Sequence, residues 1–262
     1  MSQTDEIFEV YAIRYARHDR CAAENFIGGD PHDGPMPMDY FVWLIRNPLR
    51  TIVVDTGFNA DAARMRKREF LRCPAAGLKL MGVDATAVAD VILTHLHYDH
   101  VGNFDLFPSA VFHLQDAEMA FATGRHMASP AMSAAFGVED VVGMVRVVYK
   151  GRVRFHAGDV QFVPGVSLHL IGGHTMGLQV VRVRTRRGWL VLASDASHYY
   201  ANMDEQRPFP IVYNVGDMID GWRRVRELAD SPDHVIPGHD PRVLARYPAP
   251  RPELAGAVAR LD

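Results

Sequence analysis

"HLHYDH", residues 95–100, sets three imidazoles and one carboxylate within six positions. A lone histidine is usually a surface group or a hydrogen-bonded core residue. Four potential metal donors at offsets 0, 2, 4 and 5 of one run need another explanation. The run follows VILT, a β-branched stretch of the kind that forms a buried strand, and precedes the turn signal Gly102-Asn103. If the strand continues, His95 and His97 share one side, because side chains alternate along a strand. Asp99 and His100 fall where the chain turns, and donors at strand ends and turns can converge on a point as mid-strand residues cannot.

Three more donors recur in the same setting, each at the end of an apolar run. His174 lies in IGGHTMG after VSLHLI, Asp195 in LASDAS after WLVLA, and His239 in IPGHD after HVI. Together they make five histidines and two carboxylates. Seven such ligands suit two four- or five-coordinate divalent metals bridged by one carboxylate and one water.

The rest of the chain alternates strand-like and helical patterns. FVWLIRN and TIVVDTG flank Pro48 and read as a hairpin, and Asp61–Arg72 reads as an amphipathic helix. Asp84 can cap a short helix, DATAVAD, leading into VILTH. SAVFHL reads as a strand and QDAEMAFATG as a helix, and residues 125–150, rich in Met and Ala, are mostly helical in pattern. RVRFHAG, VQFVPGVSLHLI, LQVVRVRT and GWLVLASD are strand candidates, with turn signals at Gly158-Asp159, Pro164-Gly165 and Arg187-Gly188. GDMIDGWRRVREL is helical and HVIPGHD a last short strand and turn. Gly28–Pro37 is a long loop. Two halves of alternating strands and helices imply a layered α/β core, read as one domain over residues 1–262.

Composition narrows the function. The 262 residues are 48% hydrophobic and 23% charged, with a net charge of −3 and no long basic run, so nucleic acid is not an expected partner. Two cysteines 52 positions apart form no metal-binding pair and no disulfide framework, as expected in a reducing compartment. The acidic start MSQTDEIFEV does not read as a signal peptide, and no apolar run is long enough to span a bilayer. A cytoplasmic protein with no membrane partner is the expectation.

The ordered set HxHxDH, then His, Asp and His, each after a strand, resembles the signature of the metallo-β-lactamase-fold hydrolases from VVDTG through IPGHD. The resemblance implies a four-layer αβ/βα sandwich with the metals at the edge between two sheets. It implies one metal on His95, His97 and His174, a second on Asp99, His100 and His239, and Asp195 bridging them. Asp55 of VVDTG would orient a ligand histidine. Zinc is the first expectation for two such divalent ions, with manganese, iron or cobalt also compatible.

Within that family, His97 separates the chain from flavodiiron-type members, which resemble HxExDH. Asp195 separates it from most zinc β-lactamases, which carry Cys there. HLHYDHVGN, QFVPGVSLHLIGGHTMGLQ and SDAS are most similar to the N-acyl-homoserine lactonases. That group implies ring opening of a lactone by a metal-bridging hydroxide, with Asp99 carrying the proton to the leaving alkoxide. A tyrosine three residues past the bridging Asp often holds the lactone carbonyl. Here His198 stands there, followed by Tyr199 and Tyr200, so His198 or Tyr199 is the candidate for that role. The rival reading is hydrolysis of another small lactone, ester or thioester of the glyoxalase II kind, which the 23 residues after His239 disfavour. A non-catalytic metal-binding protein is a third, which the intact ligand set opposes. Met36, Met38, Phe41, Met127, Met132 and Phe136 are candidates to line an acyl channel, although such residues are more usually core or helix packing. Residues 15–40 and 125–150 are expected to form lid or homodimer contacts.

Overall fold

The computed structural model describes residues 6–262. Its strands are β1 (Glu9–His18), β2 (Met38–Arg46), β3 (Thr51–Val54), β4 (Glu69–Phe70), β5 (Asp90–Ile92), β6 (Val111–Gln115) and β7 (Val153–His156), then β8 (Val160–Val163), β9 (Val166–Leu170), β10 (Gln179–Thr185), β11 (Gly188–Ser194), β12 (Val235–Pro237) and β13 (Val258–Arg260). The first sheet runs β13-β1-β2-β3-β5-β6-β7, with the short β4 also paired to β1. The second runs β12-β11-β10-β9-β8.

Period-two alternation sorts the side chains into three cores, and three cores require four layers. On β2, Phe41, Trp43 and Ile45 face the second sheet, where they meet Val181 and Val183 of β10 and Leu190 and Leu192 of β11. Tyr40, Val42 and Leu44 point the other way, into the core beneath the helices of the first layer. On β11, Val191 and Ala193 turn outward to Met218, Trp222, Val225 and Leu228. Those four recur at helical spacing on one face of the helix Val215–Leu228, which Asn214 caps by accepting from the amides of Gly216 and Asp217. Burial of each large apolar side chain contributes about 1.5–3 kcal/mol, so these alternations dictate the register. The expected layered α/β sandwich is therefore present.

Several local readings change. The β2–β3 hairpin forms as read. The expected helix over 61–72 stops at Arg66, because Lys67 adopts a left-handed backbone (φ 55°), and the chain continues into β4. VQFVPGVSLHLI folds as two strands, β8 and β9, turning at Pro164-Gly165. Strands β1 and β13 and the helix Pro74–Leu80 escape the sequence reading. In β1 both faces are largely buried, so no polar–apolar alternation marks it. Among the described residues no helix is long and apolar enough to cross a membrane.

Candidate metal centre

All seven expected donors come together at one edge of the sandwich, where β5, β9, β11 and β12 end. His95 and His97 do not continue β5, which ends at Ile92; they lie in the irregular segment before the short helix Tyr98–Val101. His97 caps that helix and bridges to Phe136, whose ring meets the imidazole edge-on at 4.5 Å. Convergence here is made by a turn and not by strand alternation.

Asp195 sits at the centre. Its Oδ2 lies 3.2 Å from His174 Nε2, 3.0 Å from His198 Nε2 and 3.8 Å from His95 Nε2. Its Oδ1 lies 3.0 Å from His239 Nε2 and 3.4 Å from His100 Nε2. Asp99 Oδ2 faces the same two imidazoles, 3.7 Å from His100 Nε2 and 3.8 Å from His239 Nε2. His97 Nδ1 is 3.0 Å from the Nε2 atoms of both His95 and His174.

Three groups could each hold a metal ion: His95, His97, His174 and Asp195; Asp99, His100 and His239; and Asp195, His198 and His239. The hydrogen bonding fits a cation better than it fits the bare side chains. His100 Nε2, Asp195 Oδ1 and His198 Nδ1 are buried without a hydrogen-bond partner. Asp195 Oδ1 and His239 Nε2 are close, but they are not aligned as donor and acceptor. Nitrogens and oxygens that crowd one another in this way point at a shared third position. The donor set of imidazole and carboxylate suits zinc, manganese, iron or cobalt.

The opposite ring nitrogens are tied down, which selects the atoms that face inward. His100 Nδ1 bonds Asp55 Oδ2 at 2.8 Å, His174 Nδ1 bonds the Ile211 carbonyl at 2.7 Å, and His239 Nδ1 bonds the Asp39 carbonyl at 2.9 Å. Asp55 is itself held by the Thr94 amide at 2.7 Å and hydroxyl at 2.8 Å, and the Thr94 hydroxyl also reaches His95 Nδ1 at 3.1 Å. Asp55 occupies a left-handed backbone position (φ 61°), which Asp tolerates better than most residues.

Burial, reinforced by neighbouring imidazoles, holds His95 and His97 well below the ordinary histidine range, in the neutral form that binds metal. Burial alone would also lower His100, but Asp195, Asp99 and Asp55 pull a proton onto it and raise it well above that range. Burial alone would raise Asp195, yet His198 and His239 foremost keep its carboxyl well below the usual value. Such a concentration of carboxylate charge attracts a cation, which a proton on His100 satisfies only in part.

A cavity of about 250 Å³ opens onto this cluster, lined in part by Asp99, His174, Asp195, His198 and His239. Tyr40, Tyr98 and three arginines, Arg20, Arg66 and Arg68, complete much of its wall and were not foreseen from sequence. Of the acyl-channel candidates, Met38 and Met132 line it. Phe41 does not: alternation turns it into the core between the sheets. Met36, Met127 and Phe136 pack in the core under the outer helices. His198 lines the cavity, its ring stacked on Phe209 at 3.7 Å. Tyr199 lies behind it, because it caps the helix Tyr200–Asp204 and turns its hydroxyl toward the Met36 carbonyl, 3.4 Å away. Segments 15–40 and 125–150 both contribute to the wall, the first through Arg20, Met38 and Tyr40 and the second through Ala131, Met132, Ala134 and Ala135.

Glu118 also escaped the sequence reading. It is fully buried and accepts from the Leu96 amide at 2.9 Å, the Thr175 hydroxyl at 2.6 Å and the Gly177 amide at 3.1 Å. It thereby ties the segment carrying His95 and His97 to the loop carrying His174. No local pattern distinguishes it from an ordinary helix-face glutamate.

The sequence profile of the metallo-beta-lactamase superfamily matches residues 36–239, a span containing every donor above. The chain belongs to the metallo-beta-lactamase superfamily. An N-acyl homoserine lactonase, AttM, of Azorhizobium caulinodans is 26% identical over 240 residues, covering 81% of this chain and 85% of that one. An N-acyl homoserine lactonase of Bacillus cereus is 30% identical over 133 residues, 50% of this chain, and the match spans only about half (48%) of that relative's length. A crystal structure of a quorum-quenching N-acyl homoserine lactone lactonase superposes with a TM-score of 0.75 at 22% identity, covering 92% of this chain and 94% of that one. Another, with N-hexanoyl-L-homoserine bound at its catalytic metal centre, superposes with a TM-score of 0.74 at 21% identity, covering 91% and 94%. At such identities the structural likeness speaks for the fold, and superfamily membership together with the donor cluster makes this chain a metal-dependent hydrolase.

Proposed function

We propose that this hydrolase opens the ring of a lactone with two divalent metal ions, zinc being the first choice. The observation that carries the two-ion reading is the posture of Asp195, whose two oxygens face different sets of imidazoles. In this reading His95, His97 and His174 hold one ion, Asp99, His100 and His239 the other, and Asp195 bridges. When bound, such ions supply a water acidic enough to lose a proton near neutrality and a Lewis-acid contact for the carbonyl oxygen.

The chain's own residues then divide the remaining work. Asp99 borders the cavity and has one oxygen toward His100 and His239, so it can take the proton from the attacking water and return it to the leaving alkoxide. His198 Nε2 lies 3.0 Å from Asp195 Oδ2 and its Nδ1 has no partner, so in the Nε2–H tautomer the ring faces Asp195 and leaves Nδ1 an acceptor. In that tautomer it positions Asp195 and does not hold a carbonyl. Tyr199 does not line the cavity, and in this reading it takes no part. N-acyl-homoserine lactones are the first class to assay, since the named relatives act on them.

The test is turnover by metal-loaded protein of acyl-homoserine lactones, simple γ- and δ-lactones, a thioester and a β-lactam, with metal content measured in parallel. Asp99→Asn and His174→Ala serve as controls. Lactone opening that disappears in both variants supports the proposal. Opening of the thioester alone moves the chain to a thioesterase, and metal binding without any turnover refutes the hydrolytic assignment of these residues.

A further inference from the structure

The cavity wall carries more positive charge than ring opening requires. Arg20, Arg66 and Arg68 all line it, while its only carboxylates, Asp99 and Asp195, belong to the candidate metal centre. Arg66 is occupied structurally: it bonds the carbonyls of Ala134 at 3.0 Å and Phe136 at 3.2 Å and covers the Tyr98 ring at 3.8 Å. The other two are only partly engaged. Arg68 uses Nε on the Tyr98 hydroxyl at 3.2 Å and Nη1 on the Arg66 carbonyl at 2.7 Å and on His18 at 3.0 Å. Arg20 uses Nε on Asn25 at 2.6 Å and Nη2 on the Glu24 carbonyl at 2.6 Å.

Every one of these partners is neutral. Among the described residues neither Arg20 nor Arg68 forms an ion pair with a carboxylate, whereas Arg14, Arg46, Arg207 and Arg260 each do. Each retains an Nη group with no hydrogen bond, Nη2 on Arg68 and Nη1 on Arg20. Both side chains are partly buried, so water screens them less than it would on an open surface. Their stems are held by the bonds just described, so ordering them around a ligand costs little. Two pre-positioned guanidinium groups with free donors, in a cavity of about 250 Å³, suit a short charged substituent. A long alkyl chain gains nothing from them, and the volume lies below the roughly 300–1,000 Å³ typical of sites for drug-sized ligands.

We propose that the substrate's side chain ends in an anionic group, a carboxylate, which Arg20 and Arg68 select. The inference rests on the lactonase reading for the ring and goes beyond it for the side chain. The paired probes are N-succinyl-homoserine lactone and its neutral isostere N-succinamoyl-homoserine lactone, with their ring-opened products. Calorimetric binding of the two products to zinc-loaded protein reads the inference. Turnover of the two lactones reads the reaction.

A charge-assisted hydrogen bond to carboxylate should make the succinyl product bind about 10- to 100-fold more tightly than the succinamoyl one. Arg20→Met and Arg68→Met should each cut that ratio to about threefold or less. Arg20 Nε bonds the buried Asn25, so thermal melts accompany both variants, and Arg20→Lys, which keeps a cation at the wall, should retain more of the preference than Arg20→Met. Equal affinities in the unaltered protein overturn the proposal, as does a preference that survives both substitutions. Product discrimination without opening of either lactone overturns the lactonase reading and leaves the anion site standing.

Discussion

Glu118→Ala is the most informative perturbation, because Glu118 touches neither the cavity nor a metal donor. Its carboxylate satisfies two backbone amides, those of Leu96 and Gly177, and the Thr175 hydroxyl. All four residues are buried, so water does not simply replace the lost acceptor. Leaving a buried donor unsatisfied costs about 1–3 kcal/mol each. The hydroxyl can rotate away and the two amides cannot, so the loss should be about 3–5 kcal/mol once some water enters. That is a large share of a typical total of about 5–15 kcal/mol. It should lower Tm by roughly 10 °C in a chain of this size. The two segments released carry His95, His97 and His174, and zinc affinity should fall about 10- to 100-fold. Urea denaturation of chelated protein reads the first effect, and a competition titration with a zinc indicator reads the second. Glu118→Gln keeps the volume and one acceptor oxygen and should lose less, about 1–3 kcal/mol. A change below about 0.5 kcal/mol in the alanine variant would refute the tether argument.

The other expectations test neighbouring links. Asp55→Asn tolerates the left-handed backbone but removes the charge that orients His100 Nδ1, so zinc affinity should drop about 10- to 100-fold, and loss of the buried partner of His100 should also destabilise the apo protein by about 3 kcal/mol; unchanged affinity by the same titration would count against it. Gly177→Ala places a Cβ against the Glu118 backbone, and overpacking there should destabilise the chain by about 3 kcal/mol, read as a lowered Tm; a Tm unchanged within error would contradict that contact. Burial, with Arg68 and Arg20 adding to it, lowers His18 to about 4 from its ordinary 6.5. The unfolded chain therefore takes up a proton before the folded one does, and stability should fall as pH drops from about 6.5 toward 4. His18→Gln removes that component, so it should lose less stability than the unaltered protein between pH 7 and 5 in urea titrations; parallel losses would show that His18 contributes nothing.

The sequence by itself was enough to name the side chains that the fold brings together, and to show the layering. HLHYDH, His174, Asp195 and His239 are recognisable because few structural roles demand so many imidazoles, each placed after an apolar run. The sandwich is legible wherever a strand or helix shows a clean period, as in FVWLIRN or the Met218–Trp222–Val225–Leu228 face. Strand β1 was not, since both of its faces are buried and no alternation survives. Only the tertiary structure could decide what stands across the cavity from the donors. Arg20 and Arg68 come from separate segments with no motif, and Tyr199 and His198 are adjacent in the chain yet fall on opposite sides of the cavity wall. Glu118 acts through amides 22 and 59 residues away. Local patterns report on which face of an element a residue lies. They do not report on what a distant loop brings to meet it, and that is where the orientation of the imidazoles and the charge of the pocket are set.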